Sequence, residues 1–118
     1  MNSATTAESA HIIGAERTED LYNQDAKKDN GKGELDLVPM QMLRDAAEVR
    51  MFAVYGKYPD PNNWKQVEMR RYVNALLRHM TAFVEDYHSV DEESGIPHYK
   101  HMICNMAFIA DMMARGDC

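Results

Sequence analysis

From residue 39 onward, apolar positions recur every three or four residues, the spacing of one face of an α-helix. Met40, Leu43, Ala47, Met51 and Val54 make the first such series. Pro39 suits a helix start and Gly56 a stop, so a helix is predicted over about 39–55 with that face buried. Met69, Tyr72, Leu76, Met80, Phe83 and Tyr87 make a second series and predict a helix over about 64–88. Asn63 and Gln66 have the spacing of a capping box at its start. The third helix is predicted over about 97–114, between Pro97 and Gly116, and is apolar almost all round from Met102 to Met113. A helix of that kind is covered on several sides. In so short a chain, one cover is expected to be a second subunit. The Pro- and Asn-rich stretch from Lys57 to Trp64 and the acidic stretch from Ser89 to Gly95 read as loops. No run alternates as a strand would. The expected fold is all-α, a compact oligomeric bundle of about three main helices.

Residues 1–33 sustain no period and read as a polar, weakly ordered tail, with 34–118 a single helical domain. A short helical pattern lies near residues 10–22. The charge divides in the same way. Residues 1–36 hold eight acids and four bases, the remainder eleven and nine. The formal net charge of −6 argues against sequence-independent binding to nucleic acid or to an anionic membrane. It leaves room for a small nucleotide, which needs only a few local cations. Ten methionines suit a helical core. Cys104 and Cys118 do not make a disulfide framework, so a reduced, cytosolic setting is expected. The N-terminus has neither the basic start nor the apolar stretch of a signal peptide, and the longest apolar run is too short to span a bilayer.

Several polar residues share faces with core positions. His98, His101, Asn105, Phe108 and Met112 form one stripe of the third helix, so two histidines and an asparagine sit where core residues belong. Buried polar groups need partners, a ligand or a metal. A histidine pair at i,i+3 can share a metal ion, or the two rings can simply be hydrogen-bonded near a helix end. His79 shares its face with Tyr72, Phe83 and Asp86, and is either a satisfied core histidine or a ligand. Arg71, Asn74, Arg78 and Glu85 line an adjacent stripe, either a solvated face or a cationic strip for phosphates. Asp45 and Glu48 point the same way, either as a surface pair or as oxygen ligands for a divalent cation. The loop Asp91-Glu92-Glu93-Ser94-Gly95 is acidic but lacks EF-hand spacing. There is no P-loop, nucleophile elbow or dinucleotide fingerprint.

Taken together, certain short motifs resemble one phage family. They are Leu37-Val38-Pro39, Glu48 ahead of Tyr55-Gly56-Lys57-Tyr58, Asn63-Trp64 and Leu77-Arg78-His79. Further along come Asp91 to His98 with Ser94-Gly95-Ile96-Pro97-His98, then His101 and Cys104-Asn105. The family is the N-terminal domain of dATP/dGTP diphosphohydrolases, and the resemblance covers about residues 30–112. It implies a relationship to the MazG-like all-α nucleoside triphosphate pyrophosphohydrolases, which are oligomeric and Mg²⁺-dependent. Those enzymes carry a Glu-x-x-Glu pair on one helix and a Glu-x-x-Asp pair on another. Here Asp45-x-x-Glu48 stands for the first pair, and His98-x-x-His101 occupies the place of the second. Imidazole suits Mn²⁺ or Zn²⁺ better than Mg²⁺.

The resemblance thus implies metal-dependent hydrolysis of a purine deoxynucleoside triphosphate to monophosphate and pyrophosphate, in the cytoplasm of an infected bacterial host. In that reading Glu48 and Asp45 are catalytic, and Glu48, His98, His101 and Asp91 (or Glu93) hold the divalent metal. Lys57, Trp64, Arg78, His79 and Asn105 bind or orient the nucleotide. Two alternatives stand beside it. One is a non-catalytic protein that sequesters a host signalling nucleotide. The other is a structural or interaction domain.

Overall fold

The computed structural model of the chain describes residues 22–116. Three α-helices dominate: α1 (Gln41–Phe52), α2 (Met69–Glu85) and α3 (His98–Arg115). Among the described residues there is no strand, only an isolated bridge between Val90 and Pro97. By its contacts the chain divides into two compact units, Met1–Leu35 and Asp36–Cys118. The described part of the first contains a short 3-10 turn, Gln24–Ala26, capped by the Asn23 side chain, which accepts from the Asp25 amide at 3.0 Å. The helical pattern expected near residues 10–22 lies outside the described residues but for Tyr22. The second unit holds all three α-helices.

α3 is the spine. α1 and α2 each pack along it and touch one another little. Going up α1, Asp45 and Glu48 meet Lys100 and Arg50 meets Phe108, so α1 runs parallel to α3. Going up α2, Tyr72 meets Phe108 and His79 meets His98 and His101, so α2 runs antiparallel to it. Two helices that share a third but not each other leave a groove, floored here by α3. Val49, Ile96 and Cys104 form the buried core, with Ala46 and Phe108 against it. Met112 is buried farther along α3. Burial pushes the Cys104 thiol up to about 11. The helix then stops at Gly116, whose φ of 78° is the left-handed cap that glycine tolerates best.

Three local expectations are corrected. The second helix does not begin at Trp64. Asn63–Gln66 is a separate 3-10 turn, Val67 is extended, and α2 starts at Met69. The capping box is therefore not formed: the Trp64 ring stacks on Phe108, and its carbonyl accepts from the Tyr72 hydroxyl at 2.9 Å. These contacts fix the turn apart from the helix. The first helix buries a different face from the one expected. Met40, Leu43 and Met51 are 55%, 65% and 56% exposed, whereas Asp45 is 3% exposed and Val49 is buried. Phe52 is exposed as well. α3 presents Lys100 and Cys104 to α1, and the ion pair to Lys100 turns the carboxylate side of α1 inward. Finally, Tyr87, expected on the buried seam, lies past the end of α2 and is exposed.

Candidate functional site

The groove between α1 and α2 is a cleft of about 390 Å³, within the usual range for small-ligand sites. Its upper end is aromatic. The Trp64 and Phe108 rings stack at 4.8 Å with 17° between planes, and Tyr72 leans on Phe108 at 4.9 Å. Arg50, Arg71 and Arg78 also line the cleft. Arg50 lies 5.3 Å from the Phe108 ring centre and donates to the Pro61 carbonyl at 2.7 Å, tying the loop before Trp64 to α1. Among the described residues, no carboxylate pairs with these three guanidinium groups. Stacking rings beside unneutralised guanidinium groups form a surface suited to a flat base and an anion.

Down the groove comes Asn105, buried in α3, whose amide donates to the His101 carbonyl at 2.9 Å. Asn105 lines the cleft, so the cleft abuts a histidine cluster one turn below. His79 from α2 faces His98 and His101 from α3. The Nδ1 atoms of His79 and His98 lie 2.8 Å apart, and the rings of His79 and His101 stack at 4.5 Å, 7° from parallel. Burial, with His101 and His98 beside it, lowers the His79 pKa to about 4. Burial also lowers that of His101, against the pull of Asp91. Both rings are thus kept neutral at pH 7, the form that ligates metals.

The loop before α3 supplies the acid. Asp91 and Gly95 close a tight turn through a 2.7 Å bond from the Gly95 amide to the Asp91 carbonyl, with Gly95 at φ 72°. The Ser94 amide and hydroxyl both donate to Asp91 Oδ2, at 2.9 and 2.8 Å. Ser94 Oγ also lies 2.8 Å from His101 Nε2. A serine whose proton goes to a carboxylate is not poised as a nucleophile; it is a bracket between loop and helix. Burial works to raise the Asp91 pKa, but the two Ser94 bonds prevail and hold it below the usual carboxylate range. One ligand atom from each of His79, Asp91 and His98 falls within 4.8 Å of the others, so these three could hold a cation together.

Asp45 and Glu48 go elsewhere. Glu48 Oε1 accepts from Lys100 Nζ at 2.8 Å, and Asp45 Oδ1 lies 3.6 Å from the same ammonium. Gln41 donates to Asp45 at 2.8 Å. The carboxylate pair expected to meet a metal ion meets an internal cation. Lys57 likewise pairs with Glu93 at 2.8 Å, on the exterior.

The structure therefore brings His98, Asp91 and His101 into one cluster and adds His79. It sets Trp64, Arg78 and Asn105 in the adjoining cleft, and leaves Glu48 and Asp45 on Lys100. Ser94, Arg50, Tyr72 and Phe108 join the site without being marked for it by the sequence. Arg71 shares a helix stripe with Arg78, a signal visible in the sequence. Arg50 carries no such signal, because its role depends on how α1 is rotated.

Residues 22–117 match the family model described as dATP/dGTP diphosphohydrolase, N-terminal. No curated protein and no solved structure matches the chain.

Proposed function

Because the chain belongs to the dATP/dGTP diphosphohydrolase N-terminal family, we propose that it binds a purine deoxynucleoside triphosphate and hydrolyses it to monophosphate and pyrophosphate. One observation supports this reading: the aromatic, arginine-lined cleft reaches Asn105, whose amide bonds the backbone of His101 one helical turn away, beside the histidine–aspartate cluster. The base lies against Trp64 and Phe108. The phosphates extend down the groove toward Arg71 and Arg78, where Asn105 orients them. Water adds across the anhydride between the α and β phosphoryl groups, and pyrophosphate leaves.

A divalent cation is part of this reading. The donor set fits one: His98 and Asp91, with His79 or His101, would hold it in contact with the phosphate end. When bound, it supplies charge neutralisation and a water of lowered pKa. Mg²⁺, implied by the family relationship, fits an imidazole-rich set less well than Mn²⁺ or Zn²⁺. Glu48, held by Lys100 in the free protein, is the candidate for a general base. In this reading Lys100 leaves it for a phosphate oxygen on substrate entry, freeing the carboxylate, and Asp45 stays buried as its support. Lys57 makes a similar exchange from Glu93.

The protein is further proposed to act in the cytoplasm as a homo-oligomer. Exposed apolar stripes on α1 (Leu43, Met51), α2 (Leu77, Val84) and α3 (Met106, Met113) support the latter. No helix among the described residues is long and apolar enough to cross a membrane.

A second reading, a nucleotide binder without catalysis, is favoured by the neutralised Asp45–Glu48 pair. Pyrophosphate release from a panel of deoxynucleoside triphosphates with Mg²⁺, Mn²⁺ or Zn²⁺ separates the two. Cation-dependent turnover that is lost in Glu48→Gln and weakened in Trp64→Ala supports the hydrolase. Saturable quenching of Trp64 by a nucleotide without turnover under any cation supports the binder.

A further inference from the structure

The geometry points to a transition-metal site formed by Nδ1 of His79, Nδ1 of His98 and the carboxylate of Asp91, selective for Zn²⁺-class ions over Mg²⁺. As the seat of the reaction's cation it rests on the hydrolase reading; as a metal site it stands on the geometry.

The two Nδ1 atoms are 2.8 Å apart, although they come from different helices. Two imidazole nitrogens this close either share one proton or direct their lone pairs at one cation. At the tetrahedral angle, nitrogens each about 2.0–2.1 Å from a zinc ion are separated by about 3.3–3.4 Å. The observed pair, at 2.8 Å, needs to open by only about 0.5 Å to reach that spacing. The third donor is fixed independently. Both Ser94 bonds go to Asp91 Oδ2, which leaves Oδ1 for ligation. A further bond, from the Asp91 amide to the Ile96 carbonyl at 2.9 Å, holds the backbone of the loop. These bonds fix the loop beside the two imidazoles, with one ligand atom of each of the three residues within 4.8 Å of the others.

His101 falls outside this ligand set. Its Nε2 is engaged by Ser94, and its ring lies flat against His79. It acts as a positioning residue, setting the plane of the His79 ring and, through Ser94, the orientation of Asp91. The pattern of ligands carrying their own hydrogen-bonded support is what metal sites in general require.

Ligand chemistry sets the selectivity. Two imidazoles and one carboxylate suit Zn²⁺, Co²⁺, Ni²⁺ or Mn²⁺, whereas Mg²⁺ takes oxygen ligands and keeps its waters. Three protein donors leave coordination positions open, as in catalytic rather than structural zinc sites. The carboxylate pair that would suit Mg²⁺, Asp45 and Glu48, already holds the Lys100 ammonium.

The test is a Co²⁺ titration of the full chain without nucleotide, followed by visible d–d absorption. One Co²⁺ per chain should give a band that Zn²⁺ abolishes and a large excess of Mg²⁺ does not. His79→Gln and His98→Gln should weaken Co²⁺ binding by more than about 100-fold, beyond the range of outer-shell changes, while His101→Gln weakens it by about 10-fold and keeps the band. Glu48→Gln should leave it unchanged. Because the histidine variants also alter packing, ¹⁵N spectra of the wild-type ring nitrogens provide a variant-free readout: Zn²⁺ should shift Nδ1 of His79 and His98 and leave Nε2 protonated. Absence of a band, its displacement by Mg²⁺, or a Zn²⁺ shift confined to other histidines would overturn the site. Co²⁺ binding as described, with no pyrophosphate release under any cation, would sink the hydrolase reading and leave the metal site standing. Turnover with Mg²⁺ and no Co²⁺ band would do the reverse.

Discussion

Replacing Phe108 by leucine tests whether the aromatic end of the cleft is a stacked unit or a loose apolar rim. The substitution keeps an apolar side chain of similar bulk and removes the ring. Lost with it are the Trp64 stack at 4.8 Å, the Tyr72 contact at 4.9 Å and the Arg50 contact at 5.3 Å. An aromatic pair contributes about 0.5–1.5 kcal/mol beyond its buried area, and a cation–π contact at a half-exposed site about 0.5–1 kcal/mol. The sum spans about 1.5–4 kcal/mol. Phe108 is only partly buried and the three contacts share one ring, so about 2 kcal/mol is expected, roughly a thirtyfold change in the folding equilibrium. Urea unfolding followed by far-UV circular dichroism measures it. Trp64 is the only tryptophan in the sequence, so its emission reports the same site without interference. The emission should shift to the red as the ring loses its neighbour, and nucleotide quenching should weaken. Ala110→Ser, on the exposed side of α3, serves as a control with an expected change under about 0.5 kcal/mol. If Phe108→Leu falls within that same margin and Trp64 emission does not move, the stack contributes nothing and the assignment of this end to a base is wrong.

Lys100→Met should destabilise strongly, because Asp45 stays buried with only Gln41 as a partner. Adding Asp45→Leu should recover much of the loss, since removing both members of a buried pair is far milder than removing one; a double variant as weak as the single refutes an ion-pair lock, as measured by urea midpoints. Acidification should also destabilise. His79 titrates at about 4 in the folded chain against 6.5 normally, so between those values the unfolded state binds the extra proton and stability falls with falling pH. His101 shifts the same way, and the lowered Asp91 pKa adds a loss at still lower pH. Midpoints at pH 7 and pH 5 that coincide would contradict this, and His79→Gln should flatten the difference. Gly95→Ala places a side chain at φ 72° and should loosen the Asp91 turn, with a loss of about 1 kcal/mol or more in thermal or urea unfolding. Asn105→Ala should weaken nucleotide binding, read by Trp64 quenching, more than it changes the unfolding midpoint; the opposite order would make Asn105 a purely structural partner of His101.

What the sequence determined was the number, rough position and type of helices, because three- and four-residue apolar spacing and Pro and Gly punctuation act within a single segment. It also placed His98, His101, Asn105, Phe108 and Met112 on one stripe of α3, since that follows from helical geometry alone. It marked Asp91, Trp64 and Arg78 as candidates by residue type and motif. The tertiary structure decided everything that depends on which faces meet. Amphipathic spacing on α1 favoured the Met40–Leu43–Met51 side, yet the chain turns Asp45 and Val49 inward, because a lysine on α3 can neutralise a carboxylate there and Cys104 and Ile96 receive the valine. The same rotation commits Glu48 to Lys100 and brings Arg50 to Phe108. The pairing of His79 with His98 across nineteen residues, and the Ser94 bracket that aims Asp91 at them, need helix packing and a closed loop. No local spacing encodes a distance between two helices. The cleft itself exists only because α1 and α2 each pack on α3 and hardly touch one another.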